Sequence, residues 1–249
     1  MHPLLVIYII AAGIVAGLLS TIAGMASLVS YPVLLSLGLP PLSANVTNTA
    51  AQIFTGIGST LSARKELSTA PRATARITIW ALIGSVCGCV LLLMAPAASF
   101  AKAVPFLIAF AGCLMLYSLH AKPSRNAKPV PPILKGIAIF LVGIYVGYFG
   151  ASAGVITLAI LTVTEQLPFA TLNAIKNFTS FAANALAMVI YAFTADIHWS
   201  VVLIMGVGFL IGGYIGPQLV RHLPVRPLRY AIAFAAFGLA IYLGITTYR

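Results

Sequence analysis

The sequence predicts an all-α polytopic membrane protein of two homologous halves, and three observations predict it. Of 249 residues, 61% are hydrophobic and 7% charged, whereas a soluble domain carries about 25% charged residues. Too few polar side chains exist to cover a water-facing surface. Apolar runs of about 20 residues, the length that crosses hydrocarbon, recur from end to end. The second run of each half is short and follows a break of small residues, so the chain reads as an internal repeat. These observations exclude a soluble enzyme, a secreted disulfide scaffold and a disordered tail.

Bounded by Pro, Gly and charge, the runs fall at 4–23, 26–38, 43–63, 74–95, 102–119, 133–150, 153–164, 170–194, 199–219 and 226–247. No Lys or Arg precedes the first run, so it is expected to be a mature span rather than a cleaved signal. The runs at 26–38 and 153–164 reach only about 18–20 Å as helices, short of a core about 30 Å thick. Each follows a flexible break, Ala23-Gly24-Met25-Ala26-Ser27 and Gly150-Ala151-Ser152-Ala153-Gly154. The expected organisation is a first membrane repeat at 1–121, a cytoplasmic linker at 122–132 and a second repeat at 133–249.

The formal net charge of +11 resides in the connections between runs: Arg64, Lys65, Arg72 and Arg76, then Lys122, Arg125, Lys128 and Lys135, then Arg221, Arg226 and Arg229. Such clustering is what the positive-inside rule produces, so it sets topology and implies no nucleic-acid partner. With the linker and Arg221–Arg229 both cytoplasmic, an even number of passes must separate them. The short run at 153–164 then counts as a pass, and Asp196-Ile197-His198 falls outside. The same count applied to the first half gives two halves of about five segments with opposite orientation. Inverted repeats with short or broken helices build secondary transporters, with the substrate near the midplane. Eight spans with two re-entrant segments is the alternative topology. Cys87, Cys89 and Cys113 are odd in number and predict neither a disulfide nor a metal site. Gly84/Gly88 and Gly208/Gly212 have the spacing of close helix packing.

The third run of each half carries a polar line. Asn45, Thr49, Gln52 and Gly56 lie at i, i+4, i+7 and i+11, with Asn48 one step aside; Asn173, Asn177, Ser180 and Asn184 repeat that spacing. At 100° per residue each set stays within about 60° of arc. Amides facing lipid find no hydrogen-bond partner, so the stripes either glue helices together, at about 0.6–2 kcal/mol each, or line a shared path. Their matched positions favour a path.

Lys176, beside the second stripe, is the one basic residue expected within a span. It either snorkels toward Glu165 or contacts an anion. Glu66, Glu165 and Asp196 all fall near segment ends, whereas a cation carrier wants midplane carboxylates. An anion held by Lys176, amides, hydroxyls and short-helix N-termini fits better. His198 beside Trp199 reads as an interfacial anchor. No Ser/His/Asp set, HExxH motif or phosphate loop occurs, so an enzyme is not expected.

The stretch STIAGMASLVSYPVLLSLGLPPLSANVTNTAAQ, Ser20 to Gln52, resembles the N-terminal signature of the TauE/SafE family of sulfite and organosulfonate exporters. GYFGASAGVITLAIL, Gly147–Leu161, with LNAIKNFTSFAAN, Leu172–Asn184, resembles the family's second copy. The motif residues carried over are Ser27, Pro32, Asn45, Thr47 and Asn48, then Lys176, Asn177, Thr179 and Ser180. Helical spacing reached only the stripe members independently. The family usually has a run of Gly near the first break, where this chain has Met25 and Ala26 after Gly24; a Met there is expected to narrow or reshape the site. The resemblance implies export, less often uptake, of small sulfur-containing or carboxylate anions without a cofactor.

The combined expectation is an inner-membrane, multi-pass secondary transporter exporting sulfite or an organosulfonate by alternating access. Its partners are a small anion and the lipid bilayer, and homo-oligomerisation is left open. The rivals are a small-carboxylate transporter, an anion channel, a membrane enzyme and a non-transporting assembly subunit.

Overall fold

In the computed structural model, residues 3–120, 130–219 and 225–248 are described. Most of the linker and Arg221 therefore lie outside the described residues. The helices are α1 Pro3–Ala23, α2 Ser27–Ser36, α3 Pro41–Ser62, α4 Arg64–Ser68, α5 Pro71–Met94, α6 Ala97–His120, α7 Pro132–Tyr148, α8 Ala153–Thr164, α9 Phe169–Thr194, α10 Trp199–Leu219 and α11 Val225–Tyr248. Four of them, α1, α5, α6 and α10, are long and apolar enough to cross a membrane by length and composition. The chain is a multi-pass membrane protein. Pro at the first helical position starts α3, α5 and α7, where its missing N–H costs nothing. The one helix with no counterpart among the apolar runs is α4, a single turn within the basic connection Arg64–Arg76.

The two short helices double back. α2 leaves the end of α1 and returns beside it, so that Tyr8 Oη lies 3.5 Å from Ser36 Oγ. α8 likewise returns along α7: Lys135 Nζ donates to the Thr164 carbonyl, and Glu165 pairs with Lys135 at 3.5 Å and with Arg76 at 2.9 Å. α8 thus returns to the end from which α7 starts, and the two form a hairpin. The reversals need left-handed backbone. Gly24 and Gly150 both have φ of 73°, and Ser152 has φ of 58°. The tips of the two hairpins touch, and a Cβ on Gly24 would stand 2.6 Å from the Gly154 Cα.

Around the hairpins, helices exchange partners between halves. α1 packs on α10 and α7 on α5, while α3 and α9 form the centre and α6 pairs with α11. The exchange is built on glycines spaced four apart on both partners. A Cβ on Gly208 would stand 2.2 Å from the Ile10 carbonyl oxygen, and one on Gly84 2.1 Å from that of Phe140. α3 runs antiparallel to α9, and α6 to α11. At one end of α3, Thr47 accepts the His198 N–H, just past the end of α9, at 3.1 Å; at the other end, Ser62 shares a cavity with Phe169 and Asn173, where α9 begins. Tyr248 at the end of α11 donates to the Lys102 carbonyl near the start of α6 at 3.2 Å. One end of the bundle carries Arg64, Arg72, Arg76 and Lys135, and is termed the basic end; the other carries Lys102, Asp196 and His198.

Candidate functional site

A helix that stops inside hydrocarbon leaves its last carbonyls and first N–H groups without partners. The chain has two such interruptions, and they are treated differently at their two ends. The carbonyls are capped by donors. Lys176 Nζ donates to the Ser20 and Thr21 carbonyls at 3.1 and 3.2 Å, closing the end of α1. Tyr191 Oη donates to the Gly147 carbonyl, Asn45 Nδ2 to that of Tyr148 at 3.1 Å, and Tyr145 Oη to that of Ala151 at 2.7 Å. The starts of α2 and α8 have no side-chain cap. The carbonyl ends are thus capped by side chains, whereas at the starts of α2 and α8 the first N–H groups bond backbone carbonyls of the breaks, as Val29 does to Ala26 and Val155 to Ser152, and the helix dipoles put positive potential beside the tips.

A small cavity lies at this point, with a volume of about 40 Å³. One water needs about 10–15 Å³ measured that way, so the space suits a group of a few heavy atoms. Gln52, Lys176, Asn177, Ser180 and Asn184 line it, beside Gly24, Ala26 and Gly154 of the hairpin tips. The two polar stripes therefore meet, but only in their middle and inner parts. Lys176 is 1% exposed, so it does not snorkel, and Glu165 is held by Arg76 and Lys135 instead. Asn177 is 7% exposed, and its Nδ2 has no hydrogen-bond partner in the protein. A buried amide donor without a partner costs about 1–3 kcal/mol, and a ligand oxygen would repay it.

The remaining predicted residues are placed elsewhere. Ser27 and Asn48 knit α2 to α3: Asn48 Nδ2 donates to Ser27 Oγ at 3.1 Å, and Ser30 Oγ donates to Asn48 Oδ1 at 2.6 Å. Gln52 Nε2 reaches the same Ser27 hydroxyl at 3.3 Å, which links this network to the cavity. Asn45 caps the α7 break, Thr47 accepts from His198, and Thr179 shares a hydrogen bond with Thr78 of α5 at 3.1 Å. Thr49 donates to the Asn45 carbonyl of its own helix. Asn173 lines a wider cavity of about 320 Å³ among the basic-end termini, with Ser62, Glu66 and Gln218. Asn177 lines both cavities and separates them.

Among the lining residues outside the stripe pattern as first drawn are Ser20, Thr55, Ser59, Val146 and Phe181. Thr55 and Ser59 continue Gln52 at i+3 and i+7, so the signal was present one step further along the helix. Met25, expected to narrow the site, points away from it and is fully buried in the core, whereas Ala26 lines the cavity.

On the far side of the hairpin tips aromatic rings pack together. Tyr31 and Phe100 both pack edge-on against Phe149, at centroid distances of 5.4 and 6.0 Å, and Phe100 also meets Tyr148 at 5.7 Å.

Comparisons with known proteins agree with this architecture. The chain is 28% identical over 237 residues to a probable membrane transporter protein of Haemophilus influenzae, covering 92% of each chain. It is 25% identical over 240 residues to the probable membrane transporter protein ORF9 of Sinorhizobium sp., covering 95% of this chain and 91% of the relative. It is 27% identical over 227 residues to the probable membrane transporter protein YfcA of Escherichia coli, covering 88% and 81%. The family model described as "Sulfite exporter TauE/SafE" matches residues 9–243, which takes in both hairpins, both stripes and the cavity between them. A bundle organised around two interrupted helices, matched by that family along nearly its whole length, makes this chain a membrane transporter of the TauE/SafE family.

Proposed function

We propose that this transporter carries a small oxyanion, sulfite or an organosulfonate, out of the cytoplasm by alternating access. The observation that carries the reading is the buried Asn177 Nδ2, without a protein partner, in a cavity beside the Lys176 ammonium. An ammonium, three amides (Gln52, Asn177 and Asn184), the hydroxyls of Ser20, Thr55, Ser59 and Ser180, and two helix N-termini converge there, and none of the three acids of the chain lines that cavity. Such a site offers donors and positive potential, which an oxyanion accepts and a metal cation does not. By the positive-inside rule the basic end is cytoplasmic, so the wider cavity beneath Asn177 is the cytoplasmic approach. The antiparallel pairing of α3 with α9 and of α6 with α11 supports reading the halves as inverted repeats. Rocking of one half against the other about the hairpin tips would then close that approach and part the aromatic rings on the far side.

The test is flux of radiolabelled sulfite in liposomes holding the purified chain. Losing one hydrogen bond to a charged group costs about 1.5–3 kcal/mol, so Asn177→Ala and Ser180→Ala should each weaken apparent affinity about 10- to 150-fold. Lys176→Gln should abolish saturable flux. Unchanged saturable flux in all three variants would remove the site assignment. Non-saturating flux would favour a channel.

A further inference from the structure

We propose that Phe181 sets an upper limit on substrate size, closing the midplane cavity so that it takes a compact oxyanion rather than one bearing an organic tail. The inference rests on the anion reading of that cavity and narrows it. Most of the lining is small or polar, and Phe181 is the one aromatic ring among the described residues that line it. The hairpin tips leave no gap beside the cavity, because the Gly24 and Gly154 backbones touch: a Cβ on either would stand 2.6 Å from the other's Cα. Phe181 itself is seated against α3 where residue 56 has no side chain. A Cβ on Gly56 would lie 2.3 to 2.5 Å from its Cδ2, Cβ and Cγ atoms. A large residue on α9 thus fills the gap left by a missing one on α3. The cavity's volume, about 40 Å³, accommodates an oxyanion head, and on the Phe181 side the ring occupies the space that a methylene chain would need.

The test compares sulfite, methanesulfonate, ethanesulfonate and propanesulfonate as substrates in liposomes holding the full chain. One methylene without room is worth about 10-fold or more in discrimination. Wild type should therefore favour sulfite over propanesulfonate by at least that factor. Phe181→Ala should raise the propanesulfonate-to-sulfite ratio about 10-fold or more, and Phe181→Leu should fall between. Phe181→Leu, which keeps an apolar side chain on Gly56, preserves the test if the alanine variant does not fold. Wild type carrying propanesulfonate as well as sulfite, or variants with an unchanged ratio, would overturn the size limit. Absence of saturable flux for every oxyanion in wild type would overturn the anion reading itself and the size limit with it, an outcome distinct from flux with unchanged ranking.

Discussion

At the scale of residues, two asparagines of the same pattern have opposite partners. Asn48 is 1% exposed and has both ends of its amide bonded to α2 hydroxyls. Asn177 stands at a comparable depth with its donor unpaired. Their alanine variants should therefore diverge. Asn48→Ala removes interhelical hydrogen bonds worth about 0.6–1.7 kcal/mol each in a membrane protein, and should lower the melting temperature in detergent. Asn177→Ala relieves an unpaired donor, so its melting temperature should hold or rise while its affinity falls. Measuring both quantities on both variants checks the assignment, and a shared loss of stability would break it. Spacing alone could not have separated them. It shows that an amide must avoid lipid, but its partner is supplied by α2 or by a ligand, and both lie far along the chain or outside it. The stripes were legible as stripes. That only their middle and inner parts line the cavity was not, because α3 is about 33 Å long while the cavity spans about two turns. Asn45 and Thr49 lie beyond it, beside the α7 tip.

At the scale of elements, the segment boundaries were legible because Pro, Gly and charge punctuate each apolar run. Gly84/Gly88 and Gly208/Gly212 were legible as packing surfaces for the same reason. Their partners, Gly143/Gly147 and Gly13/Gly17, belong to the opposite half, and nothing local in sequence announces such an exchange. The contacts are tight enough to test. At Gly208 a Cβ would meet the Ile10 carbonyl oxygen at 2.2 Å. That neighbour is backbone and cannot swing aside, so Gly208→Ala should destabilise by about 1–3 kcal/mol, the usual cost of overpacking. Gly238 in α11 has nothing within 4 Å of its Cβ position. There the same change gains helix propensity of up to about 1 kcal/mol, so Gly238→Ala should be neutral or stabilising. Thermal melts of both variants in one detergent decide the matter. Equal effects would mean that the glycines serve propensity alone and that the α1–α10 contact is looser than described.

At the scale of the whole molecule, two hairpins enter from opposite ends and meet tip to tip, which divides the bundle into unlike compartments. On the basic side, a cavity of about 320 Å³ reaches Asn177. On the far side, Tyr31, Phe100 and Phe149 are each buried to 3% exposure or less and pack edge-on against one another at Phe149. The meeting of tips was not legible in the sequence: it depends on Gly24 and Gly154 touching across 130 residues of chain. The asymmetry makes a sided prediction. In a chain with Cys87, Cys89 and Cys113 replaced by serine, Ser62→Cys should react with a membrane-impermeant maleimide added to the basic side. Phe100→Cys should resist the reagent from either side. If the proposed site is right, sulfite at saturating concentration should slow labelling of Asn177→Cys, which lines the small cavity, and leave Ser62→Cys, in the wider cavity, labelled at its original rate. Equal labelling of Ser62→Cys from both sides would show a continuous pore, and a chain with a continuous pore cannot exchange its anion by alternating access.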